Sequence, residues 1–190
     1  MRRVFIIHGW GGHPNEKWRP WLKSELEKRG FQVIMPQMPD TDIPRIDAWV
    51  KHLKDIVGKP DKDTYFVGHS IGCPAILRYL QTISTPIGGA LFIAGFWQSI
   101  HEEKLKNDEE LAIFKPWLTT PINSEKIRKV LKKSIALFSD NDPWIPLSEA
   151  EAYRKEIGAE IVIEHNKGHF GEKTLTKLPE ALKAIEKLTR

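Results

Sequence analysis

The feature that most constrains the fold is a regular switching between two hydrophobic periods. Short continuous apolar runs, such as Val4-Phe5-Ile6-Ile7 and Ala90-Leu91-Phe92-Ile93, read as strands buried on both faces. Between them lie segments of helical period. Trp18, Leu22 and Leu26 recur on one face, as do Ile46, Trp49, Leu53 and Val57. Strands are expected at residues 3–8, 31–35, 64–67, 90–94, 134–139 and 160–164. Helices fill the gaps, one of them opened by a capping box of Ser148 and Glu151, and a last one opened by Pro179. Strands that alternate with helices pair in parallel through right-handed crossovers. The expected architecture is therefore α/β, with a six-stranded, mostly parallel sheet flanked by helices. In such sheets ligands sit beyond the C-terminal strand ends.

The 190 residues, 41% of them hydrophobic and 28% charged, suit one globular domain spanning 1–190. No apolar run approaches the roughly 20 residues that a membrane helix needs. The first residues enter a strand directly, without a signal-peptide core, so a cytoplasmic protein without membrane association is expected. The net charge of +4 is spread along helices and interleaved with glutamates, as in Glu25-Leu26-Glu27-Lys28-Arg29. That is a solvated face rather than a nucleic-acid stripe. Cys73 is the only cysteine, which excludes an internal disulfide and a thiolate metal cluster.

Chemistry is concentrated where strands end. Gly68-His69-Ser70-Ile71-Gly72 follows Tyr65-Phe66-Val67 and opens an apolar helix. This is G-x-S-x-G in the strand-turn-helix context that lifts a serine hydroxyl above a sheet. Ser70 is the candidate nucleophile, and the Ile71 amide can face an oxyanion. Cys73 lies inside the helix without an evident partner and reads as packing. A serine nucleophile needs a base and an orienting acid, which follow it in this chain order. Asp140 and Asp142 both lie on the loop after the fifth strand, and either can serve as the acid or cap the turn. After the sixth strand, His169 sits on a glycine-flanked loop and is favoured as base over His165 at the strand end. His8, His13, His52, His69 and His101 precede the acid and are set aside. His8-Gly9-Trp10-Gly11-Gly12 is similar to esterase oxyanion loops, with the Trp10 amide as the second donor. The absence of G-x-x-x-x-G-K-[ST] argues against nucleotide binding.

Taken together, His8-Gly9-Trp10-Gly11-Gly12, residues 18–22 and 68–73, Asp142-Pro143-Trp144-Ile145-Pro146 and Gly168-His169-Phe170 resemble the small YdeN-type serine hydrolases. That group includes the retinoblastoma-binding-protein-like hydrolases. The resemblance implies a compact α/β-hydrolase in which Ser70, Asp142 and His169 are nucleophile, acid and base. It implies hydrolysis of a small-molecule ester or amide with no metal or other cofactor. The L-x-C-x-E segment linked to retinoblastoma binding is absent, since Cys73 stands in Ile71-Gly72-Cys73-Pro74-Ala75. Amidase, peptidase or thioesterase activity, or a non-catalytic binding module, are the alternatives. Residues 96–122 follow the fourth strand and carry more aromatics than a crossover needs. They are expected to form a small cap, with Phe96, Trp97, Trp117 and Trp144 as candidate pocket residues selecting short apolar acyl groups.

Overall fold

The computed structural model describes all 190 residues. The strands are β1 (Arg3–Ile7), β2 (Gln32–Ile34), β3 (Thr64–His69), β4 (Gly89–Ile93), β5 (Ser134–Ser139) and β6 (Glu160–Glu164). They form one sheet in the order β2-β1-β3-β4-β5-β6, and every pairing is parallel. The helices are α1 (Arg19–Glu27), α2 (Ile46–Val57), α3 (Gly72–Leu80), α4 (Asp108–Thr119), α5 (Ser124–Val130), α6 (Ser148–Ile157) and α7 (Pro179–Leu188). α1 and α7 pack together on one face, while α2 and α3 pack together on the other, with α5 and α6 beside them. Both faces of the sheet are thus covered. Accordingly β3 and β4 are buried at every position, and one contiguous core joins 52 buried residues. No helix is long and apolar enough to cross a membrane.

The order of the strands decides where chemistry can occur. The chain runs from β1 outward to β2, then returns to place β3 on the other side of β1. The loops leaving β1 and β3 therefore diverge to opposite faces and open a crevice between them, the usual ligand position in open parallel sheets. The loop after β1 carries His8 to Gly12, and the loop after β3 carries Ser70.

One local expectation is corrected. The capping box at Ser148 does not form: Leu147 is the N-cap of α6 and makes no side-chain cap bond, while Glu151 pairs with Arg154. Glu149 is the residue with a structural role there. Its buried carboxylate accepts the backbone amides of Trp97, Gln98 and Ser99, and so fixes the turn after β4.

The segment 96–122 holds a short 3₁₀ turn at Glu102–Lys104 and then α4, which Asn107 caps by accepting the Glu110 amide at 2.9 Å. α4 is bound into the body of the protein. Trp117 is fully buried, stands edge-on to Trp49, and donates from its indole to the Pro44 carbonyl at 2.8 Å. Arg78 of α3 donates to the carbonyls of Trp117 and Thr120 at 2.9 and 2.7 Å.

Candidate active site

Ser70 sits between the end of β3 and the start of α3 with a φ of +54°, a left-handed conformation that is costly for a residue with a side chain. The flanking glycines explain how the turn closes. A Cβ on Gly72 would lie 2.6 Å from the Ile7 carbonyl oxygen and 2.7 Å from that of His8. A Cβ on Gly68 would lie 2.9 Å from the Ile76 side chain and 3.0 Å from the Cys73 backbone. Only residues without side chains let α3 start this close to the end of β1. Cys73 is fully buried and burial pushes its thiol far up, so it stays protonated and inert.

The loop after β1 closes over the same point. Gly9 is near enough to Ser70 that a Cβ there would be 3.2 Å from the serine Cβ. The loop is shaped by His8, whose Nδ1–H donates to the Gly9 carbonyl at 2.8 Å while Nε2 accepts the Met38 amide at 3.0 Å. The Trp10 indole donates to the Asp42 carbonyl, and the Gly11 amide to the Thr41 carbonyl. The backbone amides of Trp10 and Ile71 donate to no acceptor within the protein. These two unpaired amides, one on the loop after β1 and one at the N-terminus of α3, are the donors available to a developing negative charge.

The two aspartates and two histidines of the later loops separate into two pairs. Asp140 is exposed and pairs with the exposed His165 at 2.6 Å. The Asn166 amide and His165 together hold its carboxyl below the usual range. Asp142, with a side chain only 1% exposed, accepts from His169 Nδ1 at 2.9 Å, and its Oδ1 also takes the amides of Trp144 and Ile145. With Nδ1–H directed at the carboxylate, the neutral imidazole presents Nε2 as an acceptor. Asn141 ties the two loops together by accepting the Gly168 amide at 2.8 Å. Ser70 and His169 line one cavity of about 400 Å³, and the Ser70 hydroxyl makes no hydrogen bond within the protein. A free hydroxyl is common when no substrate aligns the groups.

One residue set aside by chain order has a place here. His69 Nε2–H donates to the His169 carbonyl at 2.8 Å, and the Trp18 indole donates to the next carbonyl, Phe170, at 2.9 Å. These two buried donors hold the His169 loop from below. Nothing in the sequence marks His69 for this, because its partner is a backbone carbonyl a hundred residues away.

Both buried histidines give the fold a pH dependence. Burial pushes His8 and His69 below the usual histidine range, and the neighbouring His169 adds to the effect on His69. In the unfolded chain both protonate near about pH 6.5. Below that pH the unfolded state therefore binds more protons, and stability falls as pH drops through it. His165, raised by Asp140, acts in the opposite sense near that pH but is exposed and weak. The thermal midpoint should decline once the pH falls below about 6.5. A midpoint that stays level to about two units lower would mean that the folded protein accepts both protons.

Four aromatics were expected at the pocket, and the structure divides them. Trp144 lines the cavity. Phe96, Trp97 and Trp117 do not: Phe96 packs on Phe114, Trp97 on Tyr153, and Trp117 on Trp49. Phe114, which reaches the cavity and stands edge-on to Trp10 at 5.1 Å, is the side chain that α4 contributes. No group of three or more His, Cys, Asp or Glu side chains is arranged to hold a metal ion.

Comparison with known proteins bears on the family and the fold. A family model described as serine hydrolase matches residues 4–187. The hydrolase YdeN of Bacillus subtilis is 30% identical over 181 residues, covering 94% of this chain and 91% of its own length. The serine hydrolase RBBP9 of Rattus norvegicus is 25% identical and covers 96% and 95%. The crystal structure of the B. subtilis YdeN gene product superposes with a TM-score of 0.89 at 28% identity, covering 99% and 98%. A more distant structure, a carboxylesterase of the thaumarchaeon Nitrososphaera gargenis, shares the fold with a TM-score of 0.75 at 14% identity, covering 98% and 89%.

Proposed function

The chain belongs to the serine hydrolase family and has the α/β-hydrolase fold, and from that footing we propose that it hydrolyses carboxylic esters through an acyl-enzyme on Ser70. The observation that carries this reading is that Ser70 and the Asp142-oriented His169 line one cavity, with the amides of Trp10, in its lining, and of Ile71, next to Ser70, free of partners.

In the proposed sequence, His169 Nε2 takes the Ser70 proton as the serine oxygen attacks the ester carbonyl. The oxyanion that forms is received by the Trp10 and Ile71 amides. His169 then gives that proton to the leaving oxygen, so an alcohol departs and the acyl group stays on Ser70. Water attacks next, loses a proton to His169, and the carboxylic acid leaves as Ser70 regains its proton. Asp142 keeps Nδ1 protonated and stabilises the imidazolium in each half-reaction. With the water that attacks in the second half-reaction, these residues account for every proton and electron pair, and the substrate is a small molecule.

The acyl group is assigned to the apolar part of the cavity lining, which includes Trp10, Ile100, Phe114 and Trp144. A cavity of about 400 Å³ suits short chains, while a long acyl chain would extend into water. The kcat/KM for p-nitrophenyl esters should therefore be highest near butyrate and fall toward palmitate. A maximum at palmitate contradicts the acyl assignment. Faster turnover of matched amides or thioesters would move the chain to those classes, and no turnover of any of them would leave a binding module.

Trp117 separates the wall of the site from the core. Trp117→Ala is expected to cost about 3 to 5 kcal/mol, as for other buried aromatics. At this chain length that lowers Tm by roughly 10 °C. The ratio of butyrate to palmitate rates should stay unchanged. A variant of normal Tm with altered chain-length selectivity would return Trp117 to the cavity wall.

A further inference from the structure

The cavity lining is charged as well as apolar. Lys17, Arg19 and Glu172 line it together with Ser70 and His169. Lys17 stands beside the His169 loop: its Nζ lies 3.6 Å from where a Cβ on Gly171 would be. Glu172 folds back from the same loop over Gly168.

Arg19 is 1% exposed, yet little of its guanidinium is used. Nη2 donates to the His13 carbonyl at 2.7 Å and lies 3.5 Å from Glu16 Oε2, a half-exposed carboxylate that also accepts the His13 amide. Nε is buried without a partner. Buried guanidinium donors are normally satisfied, because leaving them bare costs the full desolvation of a charge. Burial lowers Arg19 to about 10, so it remains a cation at neutral pH. Lys17 is half-buried, has a φ of +58° and makes no ion pair within the protein. The cavity wall thus carries two cations against the single carboxylate of Glu172, while Glu16 meets Arg19 from outside it.

The proposed chemistry gives this charge an address. His169 protonates the leaving oxygen, so the leaving group departs on the His169 side, where Lys17 stands. We infer that Lys17 and Arg19 form a subsite for a carboxylate on the leaving group, so that the preferred esters have an anionic alcohol or phenol portion. The apolar residues on the acyl side and the cations on the leaving side then select the two halves of one substrate. Glu172 opposes the anion and weakens the preference. This inference rests on the ester-hydrolysis reading above.

The test compares para-acetoxybenzoate with its neutral isostere para-acetoxybenzamide. The wild-type kcat/KM should favour the benzoate about tenfold, the scale of one charged hydrogen bond, mainly through KM and less so as salt is added. Lys17→Gln should bring the ratio toward one, and Glu172→Gln should raise it. A wild-type ratio of one or below, or a ratio that neither substitution moves, overturns the subsite. If neither ester is cleaved, the ester reading fails and the subsite is judged by calorimetry on Ser70→Ala. Tighter binding of para-hydroxybenzoate than of para-hydroxybenzamide supports it, and equal binding overturns it.

Discussion

Ser70→Ala is expected to lower kcat by about six orders of magnitude, as loss of the nucleophile does in a serine triad. The fold should persist. The Ser70 hydroxyl makes no hydrogen bond within the protein, and Ala keeps the Cβ that already occupies the left-handed turn at φ +54°. No partner is left unsatisfied and no cavity forms, so Tm should match or slightly exceed the wild type. A rise would be consistent with a site that trades stability for function. Circular dichroism and a melting curve establish the fold, and single-ester kinetics measure the loss. A properly folded variant that retains wild-type turnover would remove Ser70 from the mechanism.

Asp142→Asn should lower kcat by about three to four orders of magnitude, whereas Asp140→Asn should change it less than about tenfold. An amide at position 142 can still accept the Trp144 and Ile145 amides through Oδ1, so the loop keeps its shape. It can also donate to His169 Nδ1, which flips the imidazole to the tautomer that presents a proton, not a lone pair, to Ser70. Asp140 has a different partner, the exposed His165, and its loss leaves the cavity untouched. Steady-state kinetics on both variants distinguish the roles. Equal losses, or a larger loss at Asp140, would assign the acid to the wrong aspartate.

What could be read in advance follows from how local each signal is. The strands and the G-x-S-x-G turn are local: apolar runs, helical spacing and two glycines lie within a few residues of one another. Hence β5 and β6 fall where periodicity places them, and so does the turn at Ser70. The choice between Asp140 and Asp142 is not local. Both stand on one loop, and only the reach of the next loop shows that His169 meets the buried one and His165 the exposed one. His69 was hidden for the same reason, since its partner is a main-chain carbonyl.

The aromatics of the 96–122 segment depart from expectation because composition carries no direction. A tryptophan on α4 serves the core or the cavity according to the face it takes. Trp117 faces Trp49 and Pro44, whereas Phe114, one turn earlier, faces Trp10 and the cavity. Lys17 and Arg19 carry no local mark of a cavity wall; only the folded chain turns Arg19 inward to 1% exposure.

In the proposed mechanism Ser70 is the group that becomes covalently acylated. The most direct measurement is peptide mapping by mass spectrometry after treatment with a fluorophosphonate, which phosphonylates an activated serine and displaces fluoride. The account predicts a single adduct on Ser70, formed in step with loss of esterase activity and much more slowly in Asp142→Asn. An adduct on another residue, or full loss of activity with Ser70 unmodified, would contradict it.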